Sequence, residues 1–152
     1  MKMLFWIVAV VVLLVLVFAV WVRVAPTDAA QWHRMPDNIP QSGSETGLNS
    51  HIAVVRTADQ TKIDALFDAM GSTDRTVIIA GSREDHMVTY ETRSKLMGYP
   101  DYTTVRLDRM AGEAPIWEIV LYARSRFGKG DMGVNKKRVD GWLRQAGLSE
   151  GA

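Results

Sequence analysis

The sequence predicts an α+β protein. One N-terminal transmembrane helix precedes a small antiparallel sheet of about five strands, in the order β-α-β-β-β-β-α, with two helices on one face. Three observations carry this. Leu4 to Val22 is a run of 19 residues without a charge. Four strand-like segments follow one another with connections too short for the crossovers that parallel pairing needs. Two stretches with apolar residues at helical spacing flank those segments and would close one face of the sheet.

Residues 1–23 form the anchor. As a helix, the uncharged run would span roughly 28 Å, close to the hydrocarbon thickness of a bilayer. Trp6 and Trp21 lie near its ends, where indole rings favour the interface. A cleaved signal peptide fits less well, because its apolar core is usually shorter, about 7–15 residues. Small residues are also badly placed for cleavage, with Pro26 after Ala25 and Asp28 before Ala30. A buried soluble helix would need a partner on every side, since no face of this run is polar. Lys2 precedes the span while Arg23 and Arg34 follow it, so the charges barely set its direction. The expectation is a short tail inside and the folded domain exported. No Gly-xxx-Gly pair marks a face for close helix pairing.

Residues 24–50 read as a tether, with Pro26, Pro36, Pro40 and the run QSGSETGLNS. Trp32 and Met35 would pin it to the domain or to the membrane. The α+β domain is expected over 51–147. Ile52–Arg56 reads as a strand. Thr57 then caps a helix, with Gln60 three residues on, as in a capping box. Ile63, Leu66, Phe67 and Met70 form one stripe, and Gly71 stops the helix. Arg75–Ala80 and Asp85–Arg93 read as strands joined by a hairpin over Gly81–Glu84. Gly98, Pro100 and Asp101 mark a turn. Thr103–Arg109 and Pro115–Ser125 follow as strands, joined through Ala111-Gly112-Glu113. The last helix sets Val139, Trp142, Leu143 and Ala146 on one stripe and stops at Gly147, leaving 148–152 as a tail.

Charge is unevenly distributed. Ala25–Ile119 holds 9 basic and 14 acidic residues, net −5, while Val120–Ala146 holds 7 basic and 2 acidic, net +5. The basic segment would dock on the protein's own acidic part or on an external anion. The absence of cysteine excludes disulfides and thiol chemistry.

The stretch from Glu118 to Trp142 offers the most chemistry. A strand ends in Arg124, Ser125 and Arg126, turns on Gly128, Gly130 and Gly133, and enters a helix with Lys136, Lys137 and Arg138. Backbone N–H groups and the helix dipole there would suit an anion. The three glycines spell G-x-G-x-x-G, but only 19 residues follow Gly133. That leaves no room for the rest of a dinucleotide-binding βαβ unit. The plainer reading is a turn in which glycines supply positive φ and Asp131 caps the helix. His33, His51 and His86 lack metal-ligand spacing, so no metal or other cofactor is expected. Gly43 to Gly47 has the wrong spacing for a serine nucleophile elbow. Glu91 and Glu118 would lie on adjacent or facing strands, but a carboxylate pair does acid–base work only where its pKa values are pushed apart, and nearby arginines favour ion pairing instead. Nucleic acid is not expected: only Phe127 and Trp142 interleave with the charges, and Trp142 reads as core. Anionic lipid suits a domain tethered beside a membrane better.

Tyr90-Glu91-Thr92-Arg93-Ser94 with Gly98-Tyr99-Pro100-Asp101 makes one motif. Ala123-Arg124-Ser125-Arg126 with Gly128, Asp131-Met132-Gly133-Val134-Asn135 and Arg138 makes a second. Together they resemble bacterial domain-of-unknown-function family 1499 over roughly Trp32 to Ala146. The resemblance implies an envelope protein, here in the bacterial inner membrane with a periplasmic domain, and it supplies no activity. It also implies a shared site of Arg93, Ser94, Arg124, Ser125, Arg126, Gly128, Asp131, Asn135 and Arg138, for an anion, for a partner or as structural ion pairs. Arg34-Met35-Pro36 departs from the family, which has an acidic residue before the proline. The resulting expectation is a non-catalytic binding module or accessory subunit of a larger membrane complex, touching lipid through Leu4 to Val22. The alternative is a small enzyme or an anion- or lipid-binding protein using the arginines. Arg93 and Arg124 or Arg126 are expected to converge near the N-terminus of the last helix, with Asp131 both capping it and pairing with an arginine.

Overall fold

A computed structural model describes residues 1–112 and 115–148. Helix α1 (Lys2–Val24) leads into a single turn, α2 (Ala29–Trp32). Then come β1 (Gly43–Thr46), β2 (Ser50–Thr57), α3 (Gln60–Gly71), β3 (Thr76–Ser82), β4 (Met87–Arg93), β5 (Pro100–Arg109), β6 (Trp117–Ser125) and α4 (Val134–Gln145). The six strands form one sheet in the order β1-β2-β6-β5-β4-β3. Every neighbouring pair is antiparallel. The α+β class and the N-terminal apolar helix agree with the sequence reading. Glu113 of the β5–β6 connection and residues 149–152 of the expected tail lie outside the described residues.

The strand register explains the core. Val88 lies opposite Val105, Val105 opposite Leu121, and Leu121 opposite Ala53, an apolar row across four strands. Cross-strand partners share a face. α3 lays Ile63, Leu66 and Met70 on that face, and α4 adds Val139, Trp142 and Leu143, all buried. The Trp142 indole N–H donates to Thr73 Oγ1 at 2.8 Å, fastening α4 to the end of α3. Phe67, the fourth residue of the expected stripe, is only partly buried. It carries the Arg83 guanidinium over its ring at 5.1 Å.

The other face is polar. It carries Thr89 and Glu91 from β4, Tyr102 and Thr104 from β5, and Tyr122 and Arg124 from β6, by the same alternation. Thr89, Tyr102 and Thr104 are nevertheless fully buried, because residues 22–33 run across them as a strap (next section). The sheet is therefore closed on one side by two helices and on the other by the strap.

Three expectations need correction. There are six strands, not five: β1 reads Gly-Ser-Glu-Thr, and its last three residues are exposed. An edge strand paired on one side only needs no apolar alternation, so no pattern marks it. The α3 cap is Asp59, whose carboxylate accepts the Thr61 N–H at 2.9 Å, while Thr57 Oγ1 accepts the Asp59 N–H one step earlier. β5 begins at Pro100 rather than Thr103; proline is tolerated at the first position of a strand.

Candidate functional site

The loops after β1, β4 and β6 lie at one end of the sheet, as the pairings Arg93–Pro100, Asp101–Ser125 and Ser50–Arg124 require. The last turns of α1 arrive at the same end. Trp21 meets Phe127 at 5.6 Å and Phe18 meets Tyr99 at 6.5 Å between ring centroids. Arg23 donates to Leu96 O at 2.6 Å. Gly98 holds φ at 73°, and a Cβ there would stand 2.9 Å from Arg23 Cγ, so this loop is shaped to receive α1.

From that end the strap is held by arginines. Arg93 Nη1 donates to Val22 O at 3.2 Å and to Arg23 O at 3.3 Å, while its Nε pairs with Glu91 at 2.6 Å. Arg126 donates to Pro26 O at 3.0 Å. Arg124 donates to Trp32 O, and also to Thr104 Oγ1 and Tyr122 O, both at 3.1 Å. Side chains of the strap add to this. Thr27 donates to Glu91 at 2.5 Å, His33 Nδ1 bonds Thr89 Oγ1 at 2.9 Å, and Trp32 stacks on Tyr102 at 4.0 Å. Backbone carbonyls of an irregular segment need donors when covered, and arginine supplies several on one rigid fork.

Arg124 is the most unusual member. It is buried, with no carboxylate in ion-pair reach among the described residues. Its charge lies between the Tyr122 ring at 4.3 Å and the Trp32 ring at 5.5 Å. Burial pulls its pKa down to about 10, which still leaves it charged at neutral pH.

The second motif network faces the helices instead. Asn135 Nδ2 donates to Ser125 Oγ at 3.0 Å. Arg138 donates to Asn135 Oδ1 at 3.0 Å and to Asp101 Oδ2 at 2.8 Å. Asp131 accepts the Gly133 and Asn135 N–H groups, both at 2.9 Å. Ser94 Oγ accepts the Tyr99 N–H at 2.9 Å, tying the β4–β5 loop. Gly128 and Gly133 take φ of 90° and 77°, as the turn requires, and Met132 holds 52° without being glycine.

The expected convergence of arginines at the α4 N-terminus is therefore not what the contacts show. Arg93, Arg124 and Arg126 hold the strap. Both Asp131 oxygens serve backbone donors, and the arginine of the turn network is Arg138. The reason is parity: Ser125 and Asp101 face the helices, so Arg124 and Tyr102, one residue along each strand, face away. Trp32, expected to pin this segment to the domain or the membrane, does so on Tyr102, whereas Thr27, Tyr102 and Thr104 also belong to the strap site and were not singled out from the sequence.

Burial alone would raise the Asp131 pKa, but the N–H donors of Asn135 and Gly133 outweigh it and hold the carboxyl below its ordinary 3.8. The N-cap of α4 is Gly133, not Asp131 as expected, but Asp131 accepts two N–H groups of the turn and first helical residues, and Asp131→Ala is expected to cost about 1 kcal/mol through their loss. Because the folded pKa is depressed, this contribution is fully present above the ordinary value. It fades as pH falls through the lower, folded value. Chemical melts of both forms between neutral pH and pH 3 check this: their difference should shrink on acidification, and a constant gap would refute the assignment.

Two cavities flank the β4–β5 loop. One, of about 550 Å3, is lined by Phe18, Tyr99, Phe127 and Met132 with Ser94, Asp101, Ser125 and Asp131 among its polar members. The other, of about 390 Å3, is lined by Arg23, Arg75, Arg93, Lys95 and Glu91. Glu91 and Glu118 do not meet: Glu91 pairs with Arg93 and Glu118 with Arg56, each at 2.6 Å. Among the described residues no cluster of three His, Asp or Glu side chains is placed to hold a metal ion.

A family model described as "Protein of unknown function (DUF1499)" matches residues 34–145. It covers both motif networks and the sheet, and it begins just after α1 and the strap. No curated protein matches the chain.

Proposed function

The chain belongs to the DUF1499 family, and from the way its motifs hold the N-terminal segment we propose that it is a single-pass membrane protein. Its domain stands rigidly at the exported face as a binding module, an accessory subunit of a larger envelope complex. One observation carries this reading. The helix long and apolar enough to cross a membrane, Lys2–Val24, runs straight into carbonyls held by Arg93, Arg126 and Arg124. A domain clamped in this way presents a fixed face to neighbours in the bilayer, which a loose tether would not.

Purification of the full chain in mild detergent should recover a partner in fixed stoichiometry. Arg93→Ala with Arg126→Ala should weaken that association while the domain stays folded. A chain that purifies alone, and whose deletion alters no membrane complex, would sink the reading. Sidedness is checked separately. The chain has no cysteine, so Glu84→Cys, at an exposed turn, is a clean reporter. It should react with a membrane-impermeant maleimide in intact spheroplasts; labelling only after lysis would reverse the orientation.

A second reading is an anion site. It is favoured by the cavity of about 390 Å3, where Arg23 and Lys95 have no carboxylate in ion-pair reach among the described residues. Phosphate that raises the melting temperature of the wild type, but not of Arg75→Ala, would support it.

A further inference from the structure

We propose that the cavity of about 550 Å3 between α1 and the two motif loops is a lipid site, which takes the ammonium head group of a phospholipid from the surrounding bilayer. The inference rests on α1 spanning the membrane, as proposed above.

Depth comes first. Phe18 lines the cavity and lies four residues inside the uncharged run that ends at Val22. At 1.5 Å per residue this is about 6 Å below the end of the span. The Tyr99 ring lies 6.5 Å from that of Phe18, and Phe127 lies 5.6 Å from Trp21 about one turn further along α1. The cavity thus opens at the boundary between head groups and acyl chains, where aromatic side chains settle. The loop tips at this end agree: Met132 is 98% exposed, Leu48 82% and Leu96 81%. Three apolar side chains projecting from one pole are costly in water and well placed in a bilayer surface. Leu48 and the Met132 loop are tied together, since the Asp131 N–H donates to Leu48 O at 3.0 Å.

Chemistry selects the occupant. The lining includes two carboxylates, Asp101 and Asp131, and no lysine or arginine. Asp101 is partly neutralised by Arg138 at 2.8 Å, but Asp131 is held only by backbone N–H groups. Asp131 is thus the one lining carboxylate without a cation in ion-pair reach among the described residues, and it favours a cationic group over phosphate at that wall. Tyr99, 5.9 Å from Phe127, adds an aromatic ring that attracts a cation, as Phe127 does for the Arg126 guanidinium 5.2 Å from its centroid. An ammonium brings both the charge and the donors that carboxylates and the Ser94 and Ser125 hydroxyls can use. The volume lies in the ordinary range for a small-molecule site, roughly 300–1,000 Å3.

The test uses the full chain in mild detergent doped with equal phosphatidylethanolamine and phosphatidylglycerol, read by native mass spectrometry. One phosphatidylethanolamine should remain bound per chain. Val134→Trp, which fills the cavity at the exposed start of α4, and Met132→Lys, which sets a cation at its mouth, should each abolish retention with unchanged circular dichroism. Preferential retention of phosphatidylglycerol would overturn the proposal, as would retention that survives both variants. No bound lipid, in a chain that resists extraction by alkaline carbonate, would overturn the site while leaving the anchor intact. Extraction by carbonate would remove the anchor and the lipid site together.

Discussion

Arg124→Ala is expected to destabilise the full chain by about 2–4 kcal/mol. Three donor contacts disappear at once, to Trp32 O, Thr104 Oγ1 and Tyr122 O. A hydrogen bond to a charged group contributes roughly 1.5–3 kcal/mol, and a desolvated cation–π contact about 2. The cost of burying the guanidinium offsets part of that sum. Arg124→Met separates the two contributions. Methionine fills the slot between Tyr122 and Trp32 and keeps favourable sulfur–ring contact without a charge to desolvate. It leaves Trp32 O without its donor, a loss of about 1–3 kcal/mol. Thermal melts in detergent should therefore rank wild type above Met and Met above Ala. If Met equals or exceeds wild type, packing rather than donation holds the strap, and the clamp described here is wrong in kind.

The same residue shows what the sequence could and could not reveal. Apolar periodicity marks Ile63, Leu66 and Met70, or Val139, Trp142 and Leu143, because a helix repeats its buried face every turn. The α+β class and the N-terminal helix were legible on that basis. The strap was not. Residues 25–33 have no period, and they are held by Arg124 and Arg126, far along the chain. Local composition says only that such a segment is irregular. The candidate residues stand as one list because the family resemblance groups its two motifs into a shared site. In the fold they divide between two faces, with Ser125, Asn135 and Arg138 in one network and Arg93, Arg124 and Arg126 in the other. A strand turns neighbours to opposite sides, so an Arg-Ser-Arg run cannot present all three to one ligand. The edge strand β1 escaped for a related reason: a polar, exposed edge carries no signature that separates it from a loop.

The largest effect is expected from shortening the chain. A form beginning at Ala25 keeps the Pro26, Thr27 and Trp32 contacts, whereas one beginning at Pro40 loses them all. The shorter form uncovers Tyr102, Thr104 and Thr89, which are fully buried in the full chain. It also removes the Trp32 ring stacked 4.0 Å from Tyr102. A large aromatic buries 150–250 Å2, which at roughly 25 cal/mol per Å2 is about 4–6 kcal/mol when buried completely. Trp32 is only partly buried, so about 2–3 kcal/mol is the fair share. Water replaces the lost donor contacts of Arg124 and recovers part of their contribution, so the total should lie near 4 kcal/mol. For a domain between the 60–100- and 150–250-residue classes each kcal/mol moves the melting temperature by roughly 4 °C. The form from Pro40 should thus melt at least about 15 °C below the form from Ala25. Equal melting temperatures would mean that the sheet does not need its strap.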